Sequence, residues 1–430
     1  MKTFYHVLAN NLIATISTNF VWFALSFWAY LQTKSVLATS LVGGAYLVAN
    51  TFCAIWFGSI VDHNRKKRAM LGSSVATLAI FSAGLALYSV TPEAAFTTLE
   101  SPRLWAFAML LLSGVIAGNI RNIAMPTLVT ILVPEDNRDR ANGLLGTVVG
   151  ISFSACSFAS GIILAYGGMA WVLGIGIFIT LVAIIHLAYL DVPEREIVHT
   201  ADRPRKVDVR GTIAAVTAIP GLFALLFFNT FNNFLGGVYM SLMDPYGLSL
   251  VSVQVWGVLW GFVSLGFIAG GLYIAKRGLG SHPLRTLFLT NLVLWTISIF
   301  FTVQPSIVLL AAGLLLYITL IPFVEASEQT ILQKVVPLER QGRVFGFAQT
   351  IEGSAAPITA FLVGPIAQFL FIPFMTTGHG VDLIGGWFGV GTGRGIALLF
   401  SLTGVIGLAV TLLAMRSRSY RVLSKAYGKA

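Results

Sequence analysis

Gly58-Ser-Ile-Val-Asp62-His-Asn-Arg65-Lys66-Lys67-Arg68 crowds one carboxylate and four cations between two long apolar runs. Clustered cations are not drawn through hydrocarbon, so the stretch reads as a hairpin at a membrane face joining two spans. Gly58 lets helices approach closely, and Asp62 ends the preceding helix at that face. The composition points the same way: the chain is 56% apolar and 10% charged, against about 25% charged in a soluble domain. Its net charge of +10 sits in short loops, as a topology signal, so no nucleic-acid partner is expected. Cys53 and Cys156 lie inside apolar segments and read as packing residues, which supports neither a disulfide framework nor a metal site. No cleavable signal peptide is read before the first apolar run, which is itself long enough to span a bilayer.

Stretches of roughly 20 or more apolar residues predict twelve spans, near 6–32, 36–61, 69–90, 104–133, 141–166, 168–190, 211–240, 251–275, 285–303, 306–333, 344–372 and 394–415. With both termini on one side, 23 Lys and Arg fall on that side and three (Lys34, Arg103, Arg394) on the other. The positive-inside rule then places both termini in the cytoplasm. The polar stretch Asp191 to Arg210 reads as a solvated linker between two halves, 1–190 and 211–415, with a basic tail at 416–430 set against anionic lipid. A repeat supports the division. Pro134, Asp136, Arg140, Gly143, Thr147 and Gly150 recur as Pro337, Glu339, Arg343, Gly346, Thr350 and Gly353, each pair 203 positions apart. A weaker pairing, 213 apart, sets Gly58 against Gly271, where the second hairpin keeps Lys276-Arg277 and has no Asp. The fold class is therefore an all-α polytopic membrane protein of two pseudo-symmetric six-helix bundles.

The hairpin resembles the Gly-x-x-x-Asp-x-x-x-Arg-Lys/Arg-x-Arg loop between the second and third helices of the major facilitator superfamily of secondary transporters. The Pro-x-x-x-x-x-Arg-x-x-Gly loops after spans 4 and 10 are most similar to the bacterial drug-efflux branch that includes macrolide and siderophore exporters. Span 5 lacks the Gly-Pro-rich antiporter motif of the better-known drug/proton exporters. The resemblance implies that spans 1, 4, 7 and 10 line a central cavity. It also implies that Asp62 faces the start of span 11, near Arg343 and free backbone N–H groups, to close the cytoplasmic side.

Ionisable side chains inside spans stand out because each costs about 2.5–3.5 kcal/mol near the bilayer centre. They are Arg121 in span 4, Glu325 and Glu328 in span 10, and Glu352 in span 11. Glu325 and Glu328, three apart, share a helical face, and two close carboxylates in low dielectric do not both ionise cheaply, so the pair is expected to couple protons. Arg121 is expected on the opposite cavity wall, with tying span 4 to amides such as Asn19 as the alternative. Pro126 is expected to bend that span. Glu352 reads as a gating contact, together with Gly58, Asp62, Arg65, Arg68 and Arg343. Asn19, Trp22, Asn229, Asn232 and Asn233, with Glu325, are the substrate candidates, because rings and amides suit bulky amphiphiles. His186 reads as packing.

The function that emerges is proton-driven export of hydrophobic or amphiphilic small molecules, drug-, macrolide- or siderophore-like, by a monomeric protein of the bacterial inner membrane. Metabolite uptake or lysophospholipid movement is the alternative. With no Walker loop, nucleophile elbow or metal quartet, neither enzymatic chemistry nor a cofactor is expected.

Overall fold

The computed structural model describes residues 2–33, 36–194 and 209–429, and these are helical almost throughout. In chain order the long helices are α1 (Lys2–Thr33), α2 (Val36–His63), α3 (Lys66–Val90), α4 (Pro102–Gly118), α5 (Ile120–Leu132) and α6 (Arg138–Tyr189). After the short α7 (Val209–Ala218) come α8 (Leu222–Leu248), α9 (Val253–Arg277), α10 (Pro283–Phe300), α11 (Ile307–Val335) and α12 (Gln341–Ile366). Two short helices, α13 (Ile372–Thr376) and α14 (His379–Phe388), precede α15 (Thr392–Arg416) and the C-terminal α16 (Arg418–Lys429). Eleven helical runs among the described residues are long and apolar enough to cross a membrane.

Eleven runs carry the twelve expected spans because the fifth and sixth follow each other without a loop and meet at Gly168, whose φ of 69° divides α6 into two arms. Both arms reach α1: Cys156 Sγ donates to the Ile16 carbonyl, and Ser17 Oγ donates to Gly176 O at 2.8 Å. Span 4 is interrupted at Gly118–Asn119, two turns before Pro126, which continues inside α5. A Cβ at Gly118 would sit 2.5 Å from Thr18 Cγ2, so close packing against α1 accompanies the break. Span 7 begins later than expected, at Leu222, because Gly221 turns the chain with φ 85°, and it runs on to Leu248.

Two further expectations change. Arg394, counted among the loop cations, is buried at the start of α15. It donates to the carbonyls of Phe388, Thr302 and Val303 and to Tyr246 Oη, over the Phe388 ring at 4.0 Å. The linker's first residues are anchored: Glu194 accepts the backbone N–H groups of Lys66 and Lys67, capping the N-terminus of α3, and Lys67 Nζ donates to Ala188 O and Leu190 O. Residues 195–208 of the linker, and Lys34, lie outside the described residues.

The chain divides into two compact units. Unit 1 comprises Met1–Ala141, Val148–Thr212 and Val336–Thr350, and unit 2 comprises Asn142–Thr147, Ile213–Val335 and Ile351–Ala430. The division differs from the expected halves by the two repeat-related segments that follow Arg140 and precede Ile351. The core of unit 1 is built on Trp28, whose ring meets Phe96 at 5.2 Å and Phe107 at 4.9 Å. Unit 2 centres on Tyr239, stacked on Phe400 at 4.8 Å with its hydroxyl donated to the Phe400 carbonyl.

Candidate transport site

In unit 1, glycines bring α2 against the start of α12. A Cβ on Gly58 would lie 2.5 Å from the Gly342 carbonyl, and one on Gly346 would collide with the Ala54 carbonyl. The close approach delivers Asp62 to the end of α12. Its Oδ1 accepts from Gly342 N at 2.7 Å, and its Oδ2 accepts from Arg343 N at 2.9 Å and Arg343 Nε at 3.1 Å. The buried carboxylate thus satisfies two otherwise free N–H groups of a helix N-terminus as well as one guanidinium. Arg65 is half-buried and Arg68 exposed beside it.

Arg121, expected on a cavity wall, is 3% exposed and turned into unit 1. Its Nη1 donates to Asn10 Oδ1 at 2.9 Å and its Nη2 to Ser74 Oγ at 2.7 Å. Asn10 in turn donates to Ala183 O and meets His186 Nδ1 at 3.3 Å. A cavity of about 10 Å³ beside the arginine holds no more than a water molecule. A buried guanidinium needs partners, and α1 and α3 supply them. The partner is Asn10 rather than Asn19, which sits half-buried farther along α1.

Unit 2 holds the carboxylates. Glu328 of α11 lies against Glu352 of α12, and Asn229 of α8 adjoins both. Glu328 and Asn229 are buried, and Glu352 is half-buried. Both side-chain polar atoms of Asn229, with Oε1 of Glu328 and of Glu352, complete no hydrogen bond of normal geometry. Glu325, one turn earlier on α11, is exposed. Glu328 therefore has two carboxylate neighbours: Glu352 in direct contact across two helices, which spacing did not nominate, and Glu325 one turn along α11, near enough for their charges to interact. Asn233 is exposed, with its Nδ2 donated to Asn229 O, whereas Asn232 Oδ1 accepts from Trp295 Nε1 at 2.7 Å.

Residues 7–360 match the family model described as Major Facilitator Superfamily. The chain belongs to the major facilitator superfamily. It is 25% identical over 395 residues to the enterobactin exporter EntS of Shigella flexneri, covering 89% of this chain and 90% of that protein. The EntS of Escherichia coli O1:K1 / APEC is 24% identical over 401 residues, with 89% and 90% covered. The fold is shared with a bacterial homologue of the iron transporter ferroportin in an outward-facing state, at TM-score 0.69, 13% identity and 100% of both chains. It is shared also with the human organic anion transporter MFSD10, at TM-score 0.68 and 12% identity over 95% of this chain and 99% of that one. The proton:xylose symporter XylE matches at TM-score 0.66 and 11% identity over 96% and 94%. The protein is a multi-pass membrane transporter, not an enzyme.

Within this major facilitator protein, sequence reading missed a polar group beside Trp22. The Trp22 ring stacks on Tyr46 at 4.2 Å. Asn119, at the break between α4 and α5, donates to Tyr46 Oη and to Asn50 Oδ1. The signal available was an amide pair in apolar runs, which carries no charge to draw attention. For Arg121, the buried geometry gives a direct expectation. Arg121→Ala strands Asn10 and lowers stability by about 1–3 kcal/mol, seen as a fall in unfolding temperature in detergent. Arg121→Lys recovers part of that loss. A change in KM with no thermal shift would mark Arg121 as a substrate contact instead.

Proposed function

We propose that this transporter exports hydrophobic or amphiphilic small molecules out of the bacterial cytoplasm, driven by the proton gradient across the inner membrane. The observation that carries the reading is the Glu328–Glu352–Asn229 cluster: two carboxyls in contact inside apolar spans, with an uncommitted amide beside them. Two adjoining carboxylates in low dielectric ionise together only at high cost, so the pair takes up and releases a proton as its exposure alternates. Asp62 and Arg343 form the cytoplasmic latch, with Gly58 setting the approach and Arg65 and Arg68 holding the hairpin at the surface. Glu325 and Asn233, exposed on α11 and α8, with Asn19 and Trp22 on α1, are the side chains offered to substrate. Asn232 supports that surface through Trp295. The likeness to enterobactin exporters supports the export direction. Both termini lie in the cytoplasm, a reading the cation distribution supports, and the monomer is the working unit.

The test is accumulation of ethidium and of a macrolide in a pump-deficient bacterium producing the chain. Lower accumulation of either compound, reversed by an uncoupler, is the expected result. Unchanged accumulation of both, with the protein present in the membrane, overturns the broad drug-export reading.

A further inference from the structure

We propose that unit 2 carries a binding site for an anionic phospholipid, formed by the apolar cavity beneath α16, which takes one acyl chain, and the cations on that helix's outer face. The cavity has a volume of about 460 Å³ and is walled by Phe228 and Phe231 of α8, Phe288 of α10, Leu413 of α15, and Tyr420 and Leu423 of α16. Its wall is almost wholly apolar, which suits hydrocarbon. Among the described residues, its lining hydroxyls are those of Tyr420, Ser417 and Ser419, where α15 passes into α16. Polar groups therefore concentrate at one end, as an acyl chain with a phosphate head requires.

The roof of the cavity is a docked helix. Gly221 adopts a left-handed conformation there, and a Cβ on it would lie 2.7 Å from Ser419 O and 2.8 Å from Leu423 Cβ. Tyr420 meets Phe288 edge-on at 5.1 Å, and Lys334 Nζ of α11 lies 4.6 Å from the Tyr427 ring centre. With Leu423 buried and Tyr420 turned inward, Arg418, Arg421 and Lys425 are left exposed on the other face, and Arg416 is exposed at the end of α15. Residues 416–430 contain five cations and no Asp or Glu. A cationic amphipathic helix at a membrane surface attracts anionic headgroups. Here that attraction is set over a cavity shaped for the chain of the same molecule, so the complementary ligand carries both negative charge and hydrocarbon. The site is separate from the carboxylate cluster and does not rest on the export reading.

Native mass spectrometry of the full chain in mild detergent, titrated with an equimolar mixture of phosphatidylglycerol and phosphatidylcholine, tests this. The expected result is preferential retention of phosphatidylglycerol. Arg418→Gln/Arg421→Gln/Lys425→Gln should lower the phosphatidylglycerol-to-phosphatidylcholine ratio at least about fivefold. Ala224→Trp, which fills the cavity from α8, should cut retention of both lipids; Leu413→Trp serves the same purpose from α15 if the first variant fails to fold. Equal retention of the two lipids by the natural chain overturns the proposal. So does an unchanged ratio in the triple variant, or full retention in a folded cavity-filled variant.

Discussion

Glu328→Gln/Glu352→Gln is expected to abolish concentrative transport in proteoliposomes while leaving exchange of labelled for unlabelled substrate intact. A gradient of two pH units is worth about 2.7 kcal/mol per coupled proton, or roughly a hundredfold accumulation ratio. A transporter that no longer binds the proton loses that ratio and still equilibrates its substrate, because alternating access itself needs no proton in the variant. The amides keep the size of the carboxyls, and next to Asn229 they retain donors and acceptors, so the packing between α8, α11 and α12 should survive. Glu325→Gln supplies the contrast. Glu325 is exposed and acts on the pair through its charge, without the direct contact that joins Glu328 to Glu352, so its variant is expected to keep most of the accumulation ratio and to change substrate affinity instead. If Glu325→Gln uncouples transport and Glu352→Gln does not, the proton site belongs to one face of α11 and the cross-helix pair is structural.

That contrast also marks where sequence reading stopped. The basic hairpin and the in-span charges were legible because moving charge into hydrocarbon is so costly that its exceptions are visible in one dimension. The repeat of Pro134–Gly150 in Pro337–Gly353 was legible as identity, or Asp for Glu, at constant spacing. The partners of Asp62 were legible only through the family resemblance, and those of the in-span charges were not all legible. Spacing along one helix nominates Glu325 for Glu328, whereas the neighbour in direct contact, Glu352, comes from another helix whose phase no local pattern encodes. Arg121 gives the same lesson: Asn10 and Asn19 lie nine residues apart on α1, about two and a half turns, and so point to opposite faces. Only tertiary packing selects Asn10. The chain break at Gly221 was equally hidden, since 43 glycines offer 43 places for a positive φ and packing uses few of them, whereas the break at Gly168 falls where span length had already divided the fifth span from the sixth.

Asp62→Asn is expected to shift the conformational equilibrium away from the latched state by about tenfold or more. One carboxylate accepts three hydrogen bonds, two of them from the backbone at the start of α12, and a hydrogen bond to a charged group is worth about 1.5–3 kcal/mol. Asparagine keeps one acceptor oxygen and turns its NH₂ towards donors, so at least one such bond is lost and an N–H group of the helix end is left unsatisfied. Arg343→Gln removes the guanidinium and leaves both backbone bonds, so its shift should be the smaller of the two. The double variant should add little to Asp62→Asn alone, because both changes remove the same interaction. Spin labels at Asn64 and Arg340, both exposed near the latch, would read the change as a longer-distance population in pulsed electron resonance. The large effect expected from one residue has a structural reason. The repeat-related crossing in unit 2 packs Gly271 against Gly143 and Thr147 through glycines in the same way, yet the position related to Asp62 by the 213-residue offset is Ala275. That crossing has no carboxylate at the position of Asp62, so the Asp62 hairpin carries a charged contact that its repeat lacks there. An Asp62→Asn protein with the natural distance distribution and turnover would remove the latch and leave the hairpin as a topology signal alone.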